Sequence, residues 1–291
     1  MTLPADHRVH QYALAYKAYE IEELADIYFF RPLGGQVAWA ARFARLSPTH
    51  LTLIGTAIGV VAGSLLFDER FGLMAFALLI VHSVIDSADG QLARMTGQVT
   101  ELGRILDGVG GYMTHAAIYI AIVAGSLSRG GGLSIIGFAV LSAIANTAHA
   151  QLYDYFRNSY AAIAIKGVVP QSAPTVHLSW ARWLLRAYEG VQRRLTGVHR
   201  DVETAVAARS LDGVLTDVDR ARYRSCFYWP VRGWNFLGDN TRFYAIGVLA
   251  WIHHLEWFFG FVLVPMNLAM MVLWLLQRRA DRRFLGSAVV G

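Results

Sequence analysis

The chain has one cysteine, Cys226, among 291 residues. A lone thiol excludes an intrachain disulfide, a CxxC redox pair and a cysteine-rich zinc site. Charge is also scarce. Asp, Glu, Lys and Arg make up 16% of the residues, where soluble domains carry about 25%. That deficit fits a chain that shows much of its surface to lipid. The formal net charge is +5, yet no basic block is interleaved with aromatics in a polar domain, so no nucleic-acid partner is expected. The basic residues flank apolar runs instead, where they set topology and attract membrane lipids of negative charge. No cleavable leader is expected, because residues 1–30 hold Asp6, Glu20, Glu22, Glu23 and Asp26 without an apolar stretch of the required kind. Neither an internal repeat nor a low-complexity tract is present.

What the chain has in abundance is apolar sequence, 55% of its residues. Six runs are long enough to span a bilayer, at roughly 20 residues each: 50–67, 71–94, 103–126, 132–156, 241–257 and 259–277. The expected fold class is therefore an all-α integral membrane protein with six transmembrane helices. Short connections between the first four make them antiparallel neighbours. N-terminal and internal amphipathic helices are expected in the membrane interface. One covers 33–46, where Trp39 and Phe43 mix with Arg42 and Arg45. Another begins at Trp180, with Trp183, Leu184, Ala187, Tyr188, Val191 and Leu195 on one side and four arginines on the other. A surface helix over 9–28 carries Val9, Tyr12, Tyr16 and Tyr19 at helical spacing.

The resulting division is 1–48 (cytoplasmic or interfacial helices), 49–156 (four spans), 157–240 (a polar insertion), 241–278 (two spans) and 279–291 (a tail). Arginines crowd the segment before the first span, the insertion and the end of the last span. Only Arg70 and Arg129 lie in the first two loops of the other side. Both termini and the insertion are thus expected on the cytoplasmic side, as in a bacterial inner membrane protein.

The stretch from Asp86 to Gly111, DSADGQLARMTGQVTELGRILDGVGG, joins the second and third runs. An aspartate at mid-membrane costs about 2.5–3.5 kcal/mol, so three near one depth need a compensating partner. Asp86 and Asp89 are three apart and share a helix face. Asp107 lies on the next helix, four residues after Gly103. Gly90 and Ala93 leave room for a ligand, and Arg94 offers a fork of donors suited to phosphate. Carboxylates with water are the ligand set of Mg²⁺, Mn²⁺ or Ca²⁺. The residues alone therefore predict a metal-dependent site for a phosphorylated substrate at the membrane surface.

The spacing D-x2-D-G-x2-A-R-x8-G-x3-D, carried by Asp86, Asp89, Gly90, Ala93, Arg94, Gly103 and Asp107, resembles the signature of the CDP-alcohol phosphotransferase family. SPTHLTLIG at 47–55 is similar to that family's lead-in to its first span. The resemblance implies an enzyme that cleaves the pyrophosphate of a CDP-linked donor. It moves the phosphoalcohol part to the hydroxyl of a lipid or polar alcohol acceptor and releases CMP, as in phospholipid synthesis. It implies one or two divalent metals, Mg²⁺ or Mn²⁺, on Asp86, Asp89 and Asp107. It implies a nucleotide pocket of Asp86, Gly90, Ala93, Arg94 and Gly103, with Asp107 in the catalytic group, and a homodimer.

The chain departs from that signature at one position. The fourth aspartate, four residues after the third, is Gly111 here. Three explanations stand. His115, one turn on and on the Asp107 face, could serve as the catalytic base. The acceptor could be activated by metal or by a base from elsewhere. Activity could be lost, leaving a silent nucleotide- or lipid-binding homologue. An ion transporter is a further alternative, although the far halves of these spans are nearly all apolar.

Other polar residues have plainer readings beside the functional ones. His82 is either a support for a carboxylate or a packing residue. Arg157 and Arg242 could contact an acceptor phosphate or anchor in the interface. Asp239 or Asn240 could cap the fifth span. His253, His254 and Glu256 have metal-like spacing but fall at the far interface.

Overall fold

The computed structural model describes residues 19–170 and 196–288. Residues 9–18 of the expected helix over 9–28, and the one from Trp180 to Leu195, lie outside the described residues; the rest of the first is a 3-10 turn at Tyr19–Ile21, a break at 22–23 and a π-helical segment at Asp26–Phe30. Among the described residues there is no β-strand, only isolated bridges of Val214 with Val168 and Leu211. Five helices are long and apolar enough to cross a membrane: Pro48–Leu65, Glu69–Thr96, Glu101–Ser128, Ser134–Lys166 and Trp257–Gly286. The chain divides into two compact units, Met1–Ile144 with Asp239–Pro265, and Ala145–Gly238 with Met266–Gly291.

In the first unit, helix α1 (Arg31–Phe43) buries Gly34, Ala38 and Ala41 and leaves Trp39 and Phe43 exposed. The two aromatic rings stack at 6.1 Å. Ala38 and Ala41 pack with Leu51, Ala88 and Leu92. Arg45, at φ 58°, ends the helix in a left-handed turn, with Leu46 N–H donating to the Ala41 carbonyl at 2.9 Å. Helix α2 (Pro48–Leu65) starts on a capping box in which the Ser47 hydroxyl accepts from His50 N–H and His50 Nδ1 accepts from Ser47 N–H. Ser47 is thus the cap, with Pro48 at the first helical position where its missing N–H costs nothing.

Along α2, Gly55, Gly59 and Gly63 recur every four residues. This small-residue stripe lets backbones approach closely in a membrane, where packing rather than hydrophobicity drives helix association. Helix α3 (Gly72–Thr96) lies against Gly55, where an added Cβ would stand 3.2 Å from Ile85 Cγ2. Helix α4 (Glu101–Ser128) lies against Gly63, where a Cβ would stand 2.8 Å from the Ile118 nitrogen. Gly97, at φ 69°, turns the chain out of α3, and the Thr100 hydroxyl caps α4 by accepting from Gly103 N–H at 3.0 Å. Helix α5 (Ser134–Tyr160) follows.

The run expected as a fifth span is helical only over α6 (Asp239–Trp251), thirteen residues. At about 1.5 Å per residue this is roughly 20 Å, short of the ~30 Å hydrocarbon core. Hydropathy over 241–257 did not register the turn at Ile252–Leu255. There His253 takes φ 58° and His254 N–H returns to the Leu249 carbonyl at 2.9 Å. Helix α6 runs antiparallel along α3. A Cβ on Gly72 would meet Ala250, a Cβ on Gly247 would meet the Phe76 ring, and the His82 and Phe243 rings lie 6.2 Å apart.

In the second unit, residues 196–207 and helix α7 (Asp217–Trp234) are helical parts of the polar insertion. Their core is a buried polar network. His199 Nδ1 lies 2.8 Å from Asp281 Oδ1, and its Nε2 lies 3.0 Å from the Tyr223 hydroxyl. Gln277 donates to Asp281 at 3.1 Å and accepts from Trp234 Nε1 at 3.2 Å. Burial pushes the Tyr223 phenol well above its ordinary range, so it remains a donor. His199 then accepts from Tyr223 and donates to Asp281, a consistent assignment for one neutral ring. Asp281 belongs to helix α8 (Asn267–Ala288), so the network ties the insertion to the last helix of its own unit.

Candidate active site

The last turns of α3 and the first turns of α4 bring Asp86, Asp89 and Asp107 together. One carboxylate oxygen from each lies within 4.8 Å of the others. Asp89 is buried, while Asp86 and Asp107 are exposed. A hollow with room for about one water or ion is lined by these three with Thr52, Gly55, Thr56, His82, Gly110 and Gly111. Carboxylates this close repel each other unless a cation sits between them. The spacing suits oxygens that share one small divalent ion. Thr52 Oγ1 donates to Asp89 Oδ2 at 2.7 Å and so fixes the buried member of the group.

Gly111 lines the hollow, and a Cβ built on it meets nothing within 4 Å. The position that lacks the fourth carboxylate is open space rather than a packing contact. Gly110 is different, because its Cβ would run into the Thr56 hydroxyl. The two adjacent glycines thus have separate causes.

His82 Nδ1 donates to the Gly55 carbonyl at 2.9 Å, so Nδ1 carries the hydrogen. It lines the hollow without a recorded bond to a carboxylate. His115 is placed otherwise than a free base would be. Its Nδ1 lies 3.0 Å from the Gly111 carbonyl and its Nε2 lies 3.4 Å from Asp239 Oδ1. Its ring stacks on Phe243 at 5.9 Å. Nδ1 donates to the Gly111 carbonyl, whereas Nε2 is buried, lies at ion-pair distance from Asp239 and makes no hydrogen bond among the described residues.

Gly90, Ala93, Arg94 and Gly103 lie partly buried at the α3–α4 turn, with Arg94 Nη1 3.4 Å from where a Gly90 Cβ would stand. Arg242 is in the same unit, buried, and donates through Nη1 to Asp239 Oδ1 at 3.0 Å. Arg157 belongs to the second unit, where it donates to the Tyr153 hydroxyl at 2.6 Å. His254 pairs with Glu256 at 3.2 Å and stacks on Trp257. These residues form no three-ligand group among the described residues.

The family model for CDP-alcohol phosphatidyltransferase matches residues 45–193, just over half of the chain. The chain belongs to the CDP-alcohol phosphatidyltransferase family. The matched segment contains the whole Asp86–Asp107 motif and the capped start of α2. A curated relative is the archaetidylinositol phosphate synthase of Pyrococcus horikoshii, 36% identical over 84 residues. That alignment covers 29% of this chain and 44% of the relative, so the chain spans less than half the relative's length.

Sequence reasoning missed two neighbours of the site: Thr52 as the partner of Asp89, and Asp239 beyond a capping role. Thr52 was visible only as part of SPTHLTLIG, and the glycine stripe that aims it at Asp89 was the available signal. Asp239 is 132 residues beyond Asp107, and nothing local marks it as a neighbour.

Proposed function

We propose that this member of the CDP-alcohol phosphatidyltransferase family transfers a phosphoalcohol or phosphatidyl group from a CDP-linked donor to an acceptor hydroxyl, releasing CMP at the membrane. The observation that carries this reading is the convergence of Asp86, Asp89 and Asp107, from two helices, on one ion-sized hollow. Keeping all three carboxylates together favours chemistry over silent binding, and the absence of a fourth does not disperse them.

Asp86, Asp89 and Asp107 would hold a divalent ion, Mg²⁺ or Mn²⁺, and the donor set fits it. When bound, such an ion supplies positive charge against a diphosphate and stabilises the departing phosphate of CMP. The chain's own residues do the rest. Thr52 holds Asp89 in place through its hydroxyl. Gly90, Ala93 and Gly103 leave backbone open for the nucleotide, and Arg94 offers bidentate donors to its phosphates. Asp107 completes the carboxylate group from α4. Arg242, and Arg157 in the other unit, are candidate contacts for an acceptor phosphate or lipid headgroup. The relative's name, a synthase of archaetidylinositol phosphate, supports a lipid product. A homodimer with the site on the cytoplasmic face completes the proposal.

The test is incubation of the purified chain with CDP-diacylglycerol or CDP-choline, Mg²⁺ or Mn²⁺ and a panel of alcohol and lipid acceptors, following CMP by mass spectrometry. Metal-dependent CMP release with at least one pair is expected. Its absence with every pair, in a chain that still binds Mn²⁺, would leave silent nucleotide binding as the better reading.

A further inference from the structure

We propose that Asp239 receives the hydrogen of the acceptor hydroxyl, held for that task by His115 and Arg242. This role rests on the transferase reading above. Three relationships support it, each from a different part of the structure.

The first is the bare wall at Gly111. The hollow has no side chain on the turn after Asp107, and space there is open. A carboxylate serving the same substrate must therefore come from another helix.

The second is the register of α6 on α3. The pairings Ala250 with Gly72, Gly247 with Phe76 and Phe243 with His82 run along the two helices in opposite directions. The next turn sets Asp239 level with Asp86. The two carboxylates are close enough to act on each other electrostatically, and Asp239 acts likewise on His82. Both of those residues line the hollow.

The third is how Asp239 is held. Its Oδ1 takes Arg242 Nη1 at 3.0 Å and His115 Nε2 at 3.4 Å. Arg242 is 1% exposed and the Asp239 side chain 62%. Arg242 is buried and His115 half-buried, while the Asp239 side chain is exposed. No partner for Oδ2 is found among the described residues. His115 is itself fixed by the carbonyl of Gly111, so the turn that lacks a carboxylate holds the ring that holds one.

The step is a simple displacement. The acceptor oxygen attacks the phosphorus that carries the donor's alcohol, and a new P–O bond forms. The hydroxyl hydrogen passes as a proton to Asp239 Oδ2. The P–O bond to CMP breaks, and its electron pair leaves on the CMP phosphate oxygen. The Arg242 guanidinium on Oδ1, with His115 close by, makes Asp239 a weak base. That suits phosphoryl transfer, where the acidic residue chiefly orients the nucleophile and takes its proton as the bond is made.

The experiment is Asp239→Asn in the full chain, with CMP release, its pH profile and Mn²⁺ affinity measured on the same preparation. Turnover should fall about 100-fold, with donor KM and Mn²⁺ affinity changed by less than about threefold. Gly111→Asp in the Asp239→Asn background should restore part of the lost turnover. A structural role would not be rescued by a carboxylate on a different helix. Undiminished turnover in Asp239→Asn overturns this role alone. Loss of Mn²⁺ binding together with turnover also overturns it, by making Asp239 a support of the fold. A wild-type chain that releases no CMP with any pair overturns the transferase reading and this role with it.

Discussion

Thr52 Oγ1 donates to Asp89 Oδ2 at 2.7 Å, between residues 37 apart in sequence and on different helices. Both residues are buried. A charged acceptor makes this a strong hydrogen bond, and a buried carboxylate without it would be left partly unsatisfied. Replacing Thr52 with Val keeps the shape and removes the hydroxyl. Supporting contacts of this kind are worth about 10- to 100-fold in metal affinity, so Thr52→Val should weaken Mn²⁺ binding by at least about tenfold. Calorimetric titration of the purified variant measures this directly, and an unchanged affinity would separate Thr52 from the metal group.

Two glycines should respond oppositely to the same change. At Gly63 an added methyl meets the Ile118 nitrogen at 2.8 Å, which forces α2 and α4 apart. Overpacking of this kind costs about 1–3 kcal/mol, against roughly 1 kcal/mol gained in helix propensity. Gly63→Ala should lower the melting temperature in detergent. At Gly111 nothing lies within reach, so Gly111→Ala should be neutral or raise it. Thermal unfolding of both variants side by side checks the difference in sign.

The buried network of the second unit predicts a stability effect in the insertion. His199 and Asp281 lie 2.8 Å apart with almost no exposure. Removing Asp281 leaves the His199 and Gln277 donors without their shared acceptor, at about 1–3 kcal/mol for each. Asp281→Ala should therefore reduce the yield of folded protein sharply. Tyr223→Phe removes only one hydroxyl and should cost about 1–3 kcal/mol for the unsatisfied nitrogen it leaves. Melting temperatures or limited proteolysis of the insertion distinguish the two magnitudes.

Metal should also act on stability. Asp86, Asp89 and Asp107 bring three negative groups within 4.8 Å of each other. An ion that binds only the folded chain stabilises it by about 2.7 kcal/mol when present at 100 times its Kd. Mn²⁺ should raise the melting temperature of the wild-type chain, and a chelator should reverse this. Asp89→Asn should abolish most of the shift.

The spacing of Asp86, Asp89, Gly90, Ala93, Arg94, Gly103 and Asp107 was readable because helical periodicity and one short turn fix which of them share a face. Five of the apolar runs matched long helices for the same reason: hydropathy over about 20 residues reports membrane-scale burial. The run at 241–257 failed that reading because a left-handed turn at His253 interrupts the helix without glycine or proline to announce it. Thr52 looked like any membrane threonine, since its partner is on another helix. His115 was read from its place on the Asp107 face, and only the approach of α6 shows that Asp239 takes up its second nitrogen. Contacts between distant helices carry no local signal, and the parts of the site they supply had to come from the fold.

The most direct measurement is the effect of bound Mn²⁺ on the phosphorus NMR signals of CDP in the presence of the protein. Mn²⁺ held by Asp86, Asp89 and Asp107 beside the diphosphate should broaden both signals strongly with the wild-type chain, and the broadening should vanish in Asp86→Asn, Asp89→Asn and Asp107→Asn. Broadening that survives undiminished in all three variants would place the metal and nucleotide elsewhere and contradict the shared-carboxylate site.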